Sequence, residues 1–414
     1  MLVNRQNGSR LKALPVALFI IFPILLVIIA CNRHVCSSAN MAAPCGITAP
    51  VDSVFGELFA DNEPGAIVMI MQDSTIVYDR AFGLARIDKA QPVTDSTLFN
   101  LSSASKIFTA TALLKLKELG LISLDDSLAK YFPEFKGEFF KKITIRHILT
   151  HSSGLPETRP KSDAEWNKYV ELHNSIFVNA PDYRLYGSED EHMLVFENLY
   201  RLEFEPGTHY KRDDPAYILV APLIERVTGI PFEKWMADHI FRPAGLHETF
   251  YYEPEMDTPR FAHGYRRTNS RSLADKIFSA NNSLWEEYDY GEADFFLTRA
   301  DRGAYTSARD FMQWNRALFS GKIISDSSIA EIYKAYIPTH IPSVSFGLGT
   351  AIVERSDAPV KGYHINNNGG FSITEGCWPE KKIYYIILSS RADWDQRAAA
   401  EAVDSIIRSK GFTI

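Results

Sequence analysis

The stretch Phe99–Leu116 reads FNLSSASKIFTATALLKL, three serines and a lysine set between an extended apolar segment and a helical run. Ser103 and Lys106 stand three apart, so on a helix they share a face, one turn from each other. A helix N-terminus offers partial positive charge and free amide hydrogens, which favour an alkoxide and a developing oxyanion. A lysine desolvated there loses its proton more readily and can activate the serine. Two readings stay open on these residues alone. Either Ser102 or Ser103 caps the helix beside a solvated lysine, or Ser103 is a nucleophile and Lys106 its proton carrier. Spacing does not separate them, because a Ser-x-x-Lys match arises by chance roughly once or twice in a chain of this size. Ser9 with Lys12 in the basic start, and Ser127 with Lys130 after LDD, are two such matches with no site around them.

The whole chain has 414 residues, 46% hydrophobic and 23% charged, which supplies a sizeable core and rules out a disordered chain. Net charge is −7 and the pI about 5.9, so there is no basic field for nucleic acid. Adjacent cations such as Lys141 and Lys142 are too few to make a stripe. Arg5, Arg10 and Lys12 precede an apolar run from Ala13 to Ala30 that ends in IIAC at Cys31. The pattern resembles a bacterial lipoprotein signal, with Ile28, Ile29 and Ala30 leading to an acylated Cys31. The alternative is an uncleaved anchor helix, since the run approaches the roughly 20 residues that span a bilayer, although Pro23 interrupts it. Both readings predict a signal or anchor over 1–30, a small polar tether over 31–50, and an extracytoplasmic body over 51–414. Of Cys31, Cys36, Cys45 and Cys377, three crowd the tether and no Cys-x-x-Cys pair occurs, so neither a disulfide framework nor a zinc cluster is expected.

Along the body there is no internal repeat. GAIVMIMQDSTIVYDRAFGLARI reads as a hairpin turning at Gln72 to Thr75. A helix opening at the serines is predicted to run to about Leu119, SLDD at Ser123 to Asp126 reads as a cap, and YILVAPLIERVTG as a helix stopped by Gly229. GFSITEGCWPEKKIYYIILSSR forms a second hairpin turning at Pro379 to Lys382, followed by an amphipathic helix from about Asp393 to Ser409. Strands at both ends around a helical middle predict an α+β fold. One antiparallel sheet draws on both chain ends, flanked by helices, with a mostly helical lobe inserted over about 101–335.

Five further segments accompany FNLSSASKIFTA in a fixed order: ITIRHILTHSSGLP, FEPGTHYKRDDPAY, FRPAGLHETFY, FGLGTAIV and GYHINNNGGFS. Together they make the chain, from about Val51 to its end, resemble the serine β-lactamase and penicillin-binding-protein superfamily. The likeness is to the side of class C β-lactamases, D-amino-acid peptidases and related esterases. The resemblance implies a β-lactamase/transpeptidase-like fold and places the first motif on Ser103 and Lys106, an acyl-enzyme nucleophile and its lysine partner. No cofactor or metal is implied.

The second motif departs from the family, which carries Tyr-x-Asn a few residues after PGT; here the register falls on Arg212, Asp213 and Asp214. Arginine cannot accept the proton that the tyrosine would shuttle. Asp214 keeps an acceptor near Lys106 but tends to hold it protonated, and Tyr210 is a substitute donor if the loop shifts. The third motif falls on His364, Ile365 and Asn366, and isoleucine lacks the hydroxyl that binds a substrate carboxylate in many relatives. Its strand, expected at the sheet edge, should place the amide near Asn367 opposite that of Ser103, completing an oxyanion hole.

His147 and His151 stand a helical turn apart, but HILTH lacks the glutamate of a metalloprotease motif, so they read as structural. Asp125 and Asp126 read as caps rather than as a catalytic carboxylate pair. The expected function is a membrane-tethered, cell-envelope serine hydrolase acting through Ser103 on a small-molecule or peptide acyl substrate: an ester, a peptide or a β-lactam-like amide. The alternative is a member that keeps the fold as a binding or sensing module without efficient turnover, suggested by Arg212 and Ile365. The sequence leaves oligomeric state open.

Overall fold

Ala66–Gln72 (β1, AIVMIMQ) is apolar up to its last residue, and both of its faces are covered. Ile67, Met69 and Met71 point into one core while Ala66, Val68 and Ile70 point into another. That is how the two-residue period reads when a sheet lies between two layers. The computed structural model describes residues 46–156, 189–212, 214–251, 259–267, 284–287, 298–355, 358–368 and 370–409, all within one unit, Ala43–Ile414. The predicted signal or anchor over 1–30, Cys31 and most of the tether lie outside the described residues, as does Asp213.

β1 turns through Asp73 and Ser74 into Thr75–Phe82 (β2), with Gln72 opposite Thr75. Asp73 takes a positive φ of 54°, which its short polar side chain tolerates. The remaining strands of the sheet follow near the C-terminus: Ile337–Pro338 (β3), Val344–Phe346 (β4), Ala351–Arg355 (β5), Ala358–Asn368 (β6), Phe371–Trp378 (β7) and Ile383–Ser389 (β8). Eight strands run in the order β3-β4-β5-β6-β7-β8-β1-β2, every neighbouring pair antiparallel. β1 docks on β8 with Ala66 opposite Ser389, so the two chain ends share one sheet as expected.

On the outer face, Thr48–Leu58 (α1) contributes Val51 and Phe55, and Gln396–Ser409 (α6) contributes Ala399, Ala400, Val403 and Ile407. The last helix was expected from Asp393. It starts at Gln396, because the Asp395 carboxylate accepts from the Ala398 amide (2.9 Å) and so fixes the start. The inner face packs on the lobe, whose central helix is Ser105–Glu118 (α2). α2 buries every residue from Ser105 to Leu114, the pattern of a helix enclosed by other elements. Around it stand Asp214–Ile218 (α3), Val220–Thr228 (α4) and Ala308–Phe319 (α5), and Gly229 closes α4 in the left-handed region at φ 71°. A small sheet joins Leu98–Asn100, Ala304–Ser307 and Phe250–Tyr251 just ahead of the serines.

Two expectations are corrected. β6 is not at the sheet edge; it lies between β5 and β7. Its pairing with β5 reaches no further than Ala351 opposite Tyr363, however, so His364–Asn368 pair with β7 alone and leave a flank open toward the serines. Asp125 and Asp126 do not cap the helix Leu128–Tyr131, whose N-cap is Ser127 with no side-chain bond. They stand too early in the turn. Asp125 grips Arg146 through two bonds of 2.8 and 3.1 Å, and Asp126 accepts from the Ser123 amide, Lys130 and the Tyr131 hydroxyl.

Candidate active site

The three serines divide three tasks, and none caps the helix. The Leu98–Asn100 strand is pinned by the Leu101 amide to the Ala304 carbonyl (2.9 Å) and by Asn100 Nδ2 to the Arg302 carbonyl (3.0 Å). Asn100 Oδ1 in turn accepts the Ser102 amide at 2.8 Å, which holds Ser102 at a φ of 48°. This strained conformation turns the chain sharply from strand into the one-turn helix Ser102–Ala104. Ser102 Oγ donates to the Asn367 carbonyl (3.1 Å), and Ser105 Oγ accepts the Ala304 amide (3.2 Å). Ser103, 3% exposed, is left facing a cavity of about 480 Å³.

Lys106 lies one turn on, 2% exposed, with Nζ 3.1 Å from Ser103 Oγ. The same nitrogen reaches the Asp301 carbonyl (3.1 Å) and Asp214 Oδ1 (3.0 Å), and it sits 5.2 Å over the Tyr217 ring. Burial pushes the Lys106 ammonium down to about 8; the Asp214 and Asp301 carboxylates oppose that shift without cancelling it. A protonated Nζ fills all three acceptors with its three hydrogens. A neutral Nζ bonds Asp301 and Asp214 with two, leaving its lone pair for the Ser103 hydroxyl.

Of the second-motif residues, Asp214 is brought to Lys106 as expected. It is clasped from three sides, by Lys106, by Arg302 Nη2 (2.7 Å) and by Arg212 Nε (3.2 Å). Arg212 does more than occupy the register of the missing tyrosine, since its Nη2 donates to Ser103 Oγ at 2.6 Å. Tyr210 lines the cavity wall instead, its ring 5.4 Å from Phe346 and 6.0 Å from His151. Among the described residues of this loop, Arg212 and not Tyr210 is hydrogen-bonded to Ser103.

Third-motif residues His364 and Asn366 line the cavity from β6. His364 is tied by Nδ1 to Glu375 and by Nε2 to the Gly349 carbonyl (2.8 Å). Ile365, between them, also borders the cavity and packs against the outer core. Asn367 turns its carbonyl to Ser102, and both main-chain polar groups of one strand residue point to the same flank, so its amide faces the serines too.

His147 and His151 are placed in different surroundings. His147 closes a capping box with Thr144, while His151 lines the cavity, 5.0 Å from Tyr217 and 4.8 Å from Phe346. Burial drives the His151 ring well below its ordinary value, so it is neutral near pH 7. Tyr217, Asp301, Arg302 and Gly349 escaped the sequence reading. Only Tyr217 carried a signal, three residues after Asp214 and hence on the same helical face. Among the described residues the lining includes the cations Lys106, Lys211, Arg212 and Arg397 and no carboxylate. Among the described residues no group of three or more potential metal ligands occurs.

A model of the beta-lactamase family matches residues 51–406. A penicillin-binding protein of Bacillus subtilis is 25% identical over 327 residues, 78% of this chain and 66% of that protein. The chain therefore spans slightly less than two thirds of that relative. The octameric penicillin-binding protein homologue from Pyrococcus abyssi superposes with a TM-score of 0.70 at 23% identity, covering 88% of this chain and 78% of the other. The D-amino acid amidase from Ochrobactrum anthropi gives 0.67 at 19% identity, covering 87% and 98%. At these identities the two structures share the fold.

Proposed function

The chain belongs to the beta-lactamase family, whose serine hydrolases include penicillin-binding-protein homologues, and from that premise we propose that it hydrolyses acyl substrates through an acyl-enzyme on Ser103. The observation that carries the proposal is the 3.1 Å contact between Lys106 Nζ and Ser103 Oγ in a site that lowers the lysine to about 8. Neutral Lys106 takes the Ser103 proton as Oγ bonds to the acyl carbon. The oxyanion then rests against the amides of Ser103 and Asn367. Collapse breaks the bond to the leaving group, which receives the proton from Lys106. Water next adds to the acyl carbon, giving a proton to Lys106, and Ser103 departs and recovers it.

The substrate class we infer is an ester in preference to a β-lactam. Ile365 offers no hydroxyl to a drug carboxylate, and Arg212 stands where a tyrosine would serve a nitrogen leaving group. An alkoxide or phenoxide needs less protonation than an amine does. The basic start, the apolar run and Cys31 support a lipid tether at the bacterial cell surface. Mass spectrometry of the mature N-terminus tests this: an intact peptide spanning Ala30 to Asn32 contradicts it. Among the described residues no helix is long and apolar enough to cross a membrane.

The test is hydrolysis of nitrophenyl butyrate and nitrocefin by the wild type and three serine variants. Ser103→Ala should lose several orders of magnitude in kcat/KM, while Ser102→Ala and Ser105→Ala keep substantial activity. Nitrocefin should turn over poorly or only acylate the protein. Activity surviving in Ser103→Ala removes the assignment. A second reading, a binding or sensing module, is favoured by the Arg212 bond to Ser103. It requires that a fluorophosphonate label the folded protein no faster than the denatured one.

A further inference from the structure

Arg212 is half exposed, yet its guanidinium spans from buried Asp214 to the nucleophile. Its Nη2, 2.6 Å from Ser103 Oγ, occupies space that an acyl carbon must enter to come within about 3–3.5 Å of that oxygen. A hydrogen bond from a cation also draws electron density from the oxygen and weakens it as a nucleophile. When Lys106 is protonated, Lys106 and Arg212 together take up both lone pairs of the hydroxyl. The resting serine is therefore held back by a side chain that water reaches from one side.

Displacing that side chain requires an alternative partner for its fork, and the cavity's surroundings select an anion. Among the described residues, Arg212, Arg397 and Lys211, the last paired with Glu203, join Lys106 in the lining, and no carboxylate does. Guanidinium pairs with carboxylate through two parallel bonds, so an anionic substrate can draw Nη2 off Ser103 while Nε keeps Asp214. The location of the anion follows from the flanks of the serine. The Asn367 side holds the oxyanion, so the leaving group departs toward Lys106 and Arg212, on the Asp214 side.

We propose that Arg212 is a specificity lock: it holds Ser103 inactive at rest and is released by a carboxylate on the leaving group, so the site selects anionic esters. This rests on Ser103 being the nucleophile. The matched pair 3-carboxyphenyl acetate and phenyl acetate tests it in the full-length protein through release of the phenol. In the wild type kcat/KM should favour the anionic ester by about tenfold or more, the scale of one hydrogen bond to a charged group. Arg212→Gln should lower kcat/KM for the anionic ester and raise it for phenyl acetate, reversing or erasing the preference, and Arg212→Lys should recover part of it. Arg397→Gln, which removes a lining cation that does not touch Ser103, should weaken the anionic ester through KM without accelerating phenyl acetate. A wild-type preference for phenyl acetate, or an Arg212→Gln protein slower on both esters in equal proportion, overturns the lock. Fluorophosphonate labelling keeps the two proposals apart. If Ser103 is not the nucleophile, neither wild type nor Arg212→Gln carries the label on Ser103; if only the lock is wrong, both carry it there and react at one rate.

Discussion

Lys106 is where burial and charge are set against each other. Desolvation lowers it to about 8 although Asp214 and Asp301 pull it up. Only the neutral amine can take the serine proton, so kcat/KM for a neutral ester should rise about tenfold per pH unit below pH 8 and level above it. Asp214→Asn removes a carboxylate that raises the lysine, so its midpoint should move to lower pH; a move upward in the pH-rate profile contradicts the electrostatics described. Ser103 and Lys106 were picked out by the family resemblance; the helical turn puts them on one face, but spacing alone left a helix cap equally open. Arg212 was legible only as a missing tyrosine: a loop carries no period, and nothing in YKRDD says which side chain turns inward. Asp301 and Arg302 gave no signal in the sequence, since the partner that ties Arg302 into the site, Asp214, is distant in the chain.

Elements with a clear period were legible, and their junctions were not. Both hairpins, the helix closed by Gly229 and the final helix stand where the apolar pattern puts them. The open flank of β6 depends on where β5 ends, and a short partner strand leaves no mark on the sequence of its neighbour. Gly349 belongs to this scale. At φ 83° its added Cβ would lie 2.9 Å from the Ala110 Cβ and 2.9 Å from the Lys106 carbonyl. Gly349→Ala must therefore push against α2 beneath the site, at about 1–3 kcal/mol for the overpacking. It should lower Tm by a few degrees and reduce ester hydrolysis. An unchanged Tm in thermal denaturation means that the loop and helix are not packed this closely.

In the body of the molecule, one sheet pairs its first and last strands, β1 and β8, side by side, and α1 covers part of its outer face. Val51, Phe55 and Phe59 are at most 2% exposed there. Burial of three such side chains is worth about 4–9 kcal/mol, comparable with the entire stability of a typical domain. A chain beginning at residue 60 should therefore fail to give a cooperative transition, whereas one beginning at residue 46 should unfold cooperatively; equal transitions by circular dichroism refute the role given to α1. The fold was legible at this scale because AIVMIMQ and IYYIILS are apolar without alternation, which requires cover on both faces. All of this architecture converges on one atom, Ser103 Oγ. Peptide mass spectrometry of the native protein after reaction with a fluorophosphonate tests that convergence most directly. The adduct should fall on Ser103 and be absent from Ser103→Ala. An adduct on Ser102, Ser105 or any other residue, or none above the level of denatured protein, contradicts an acyl-enzyme at Ser103.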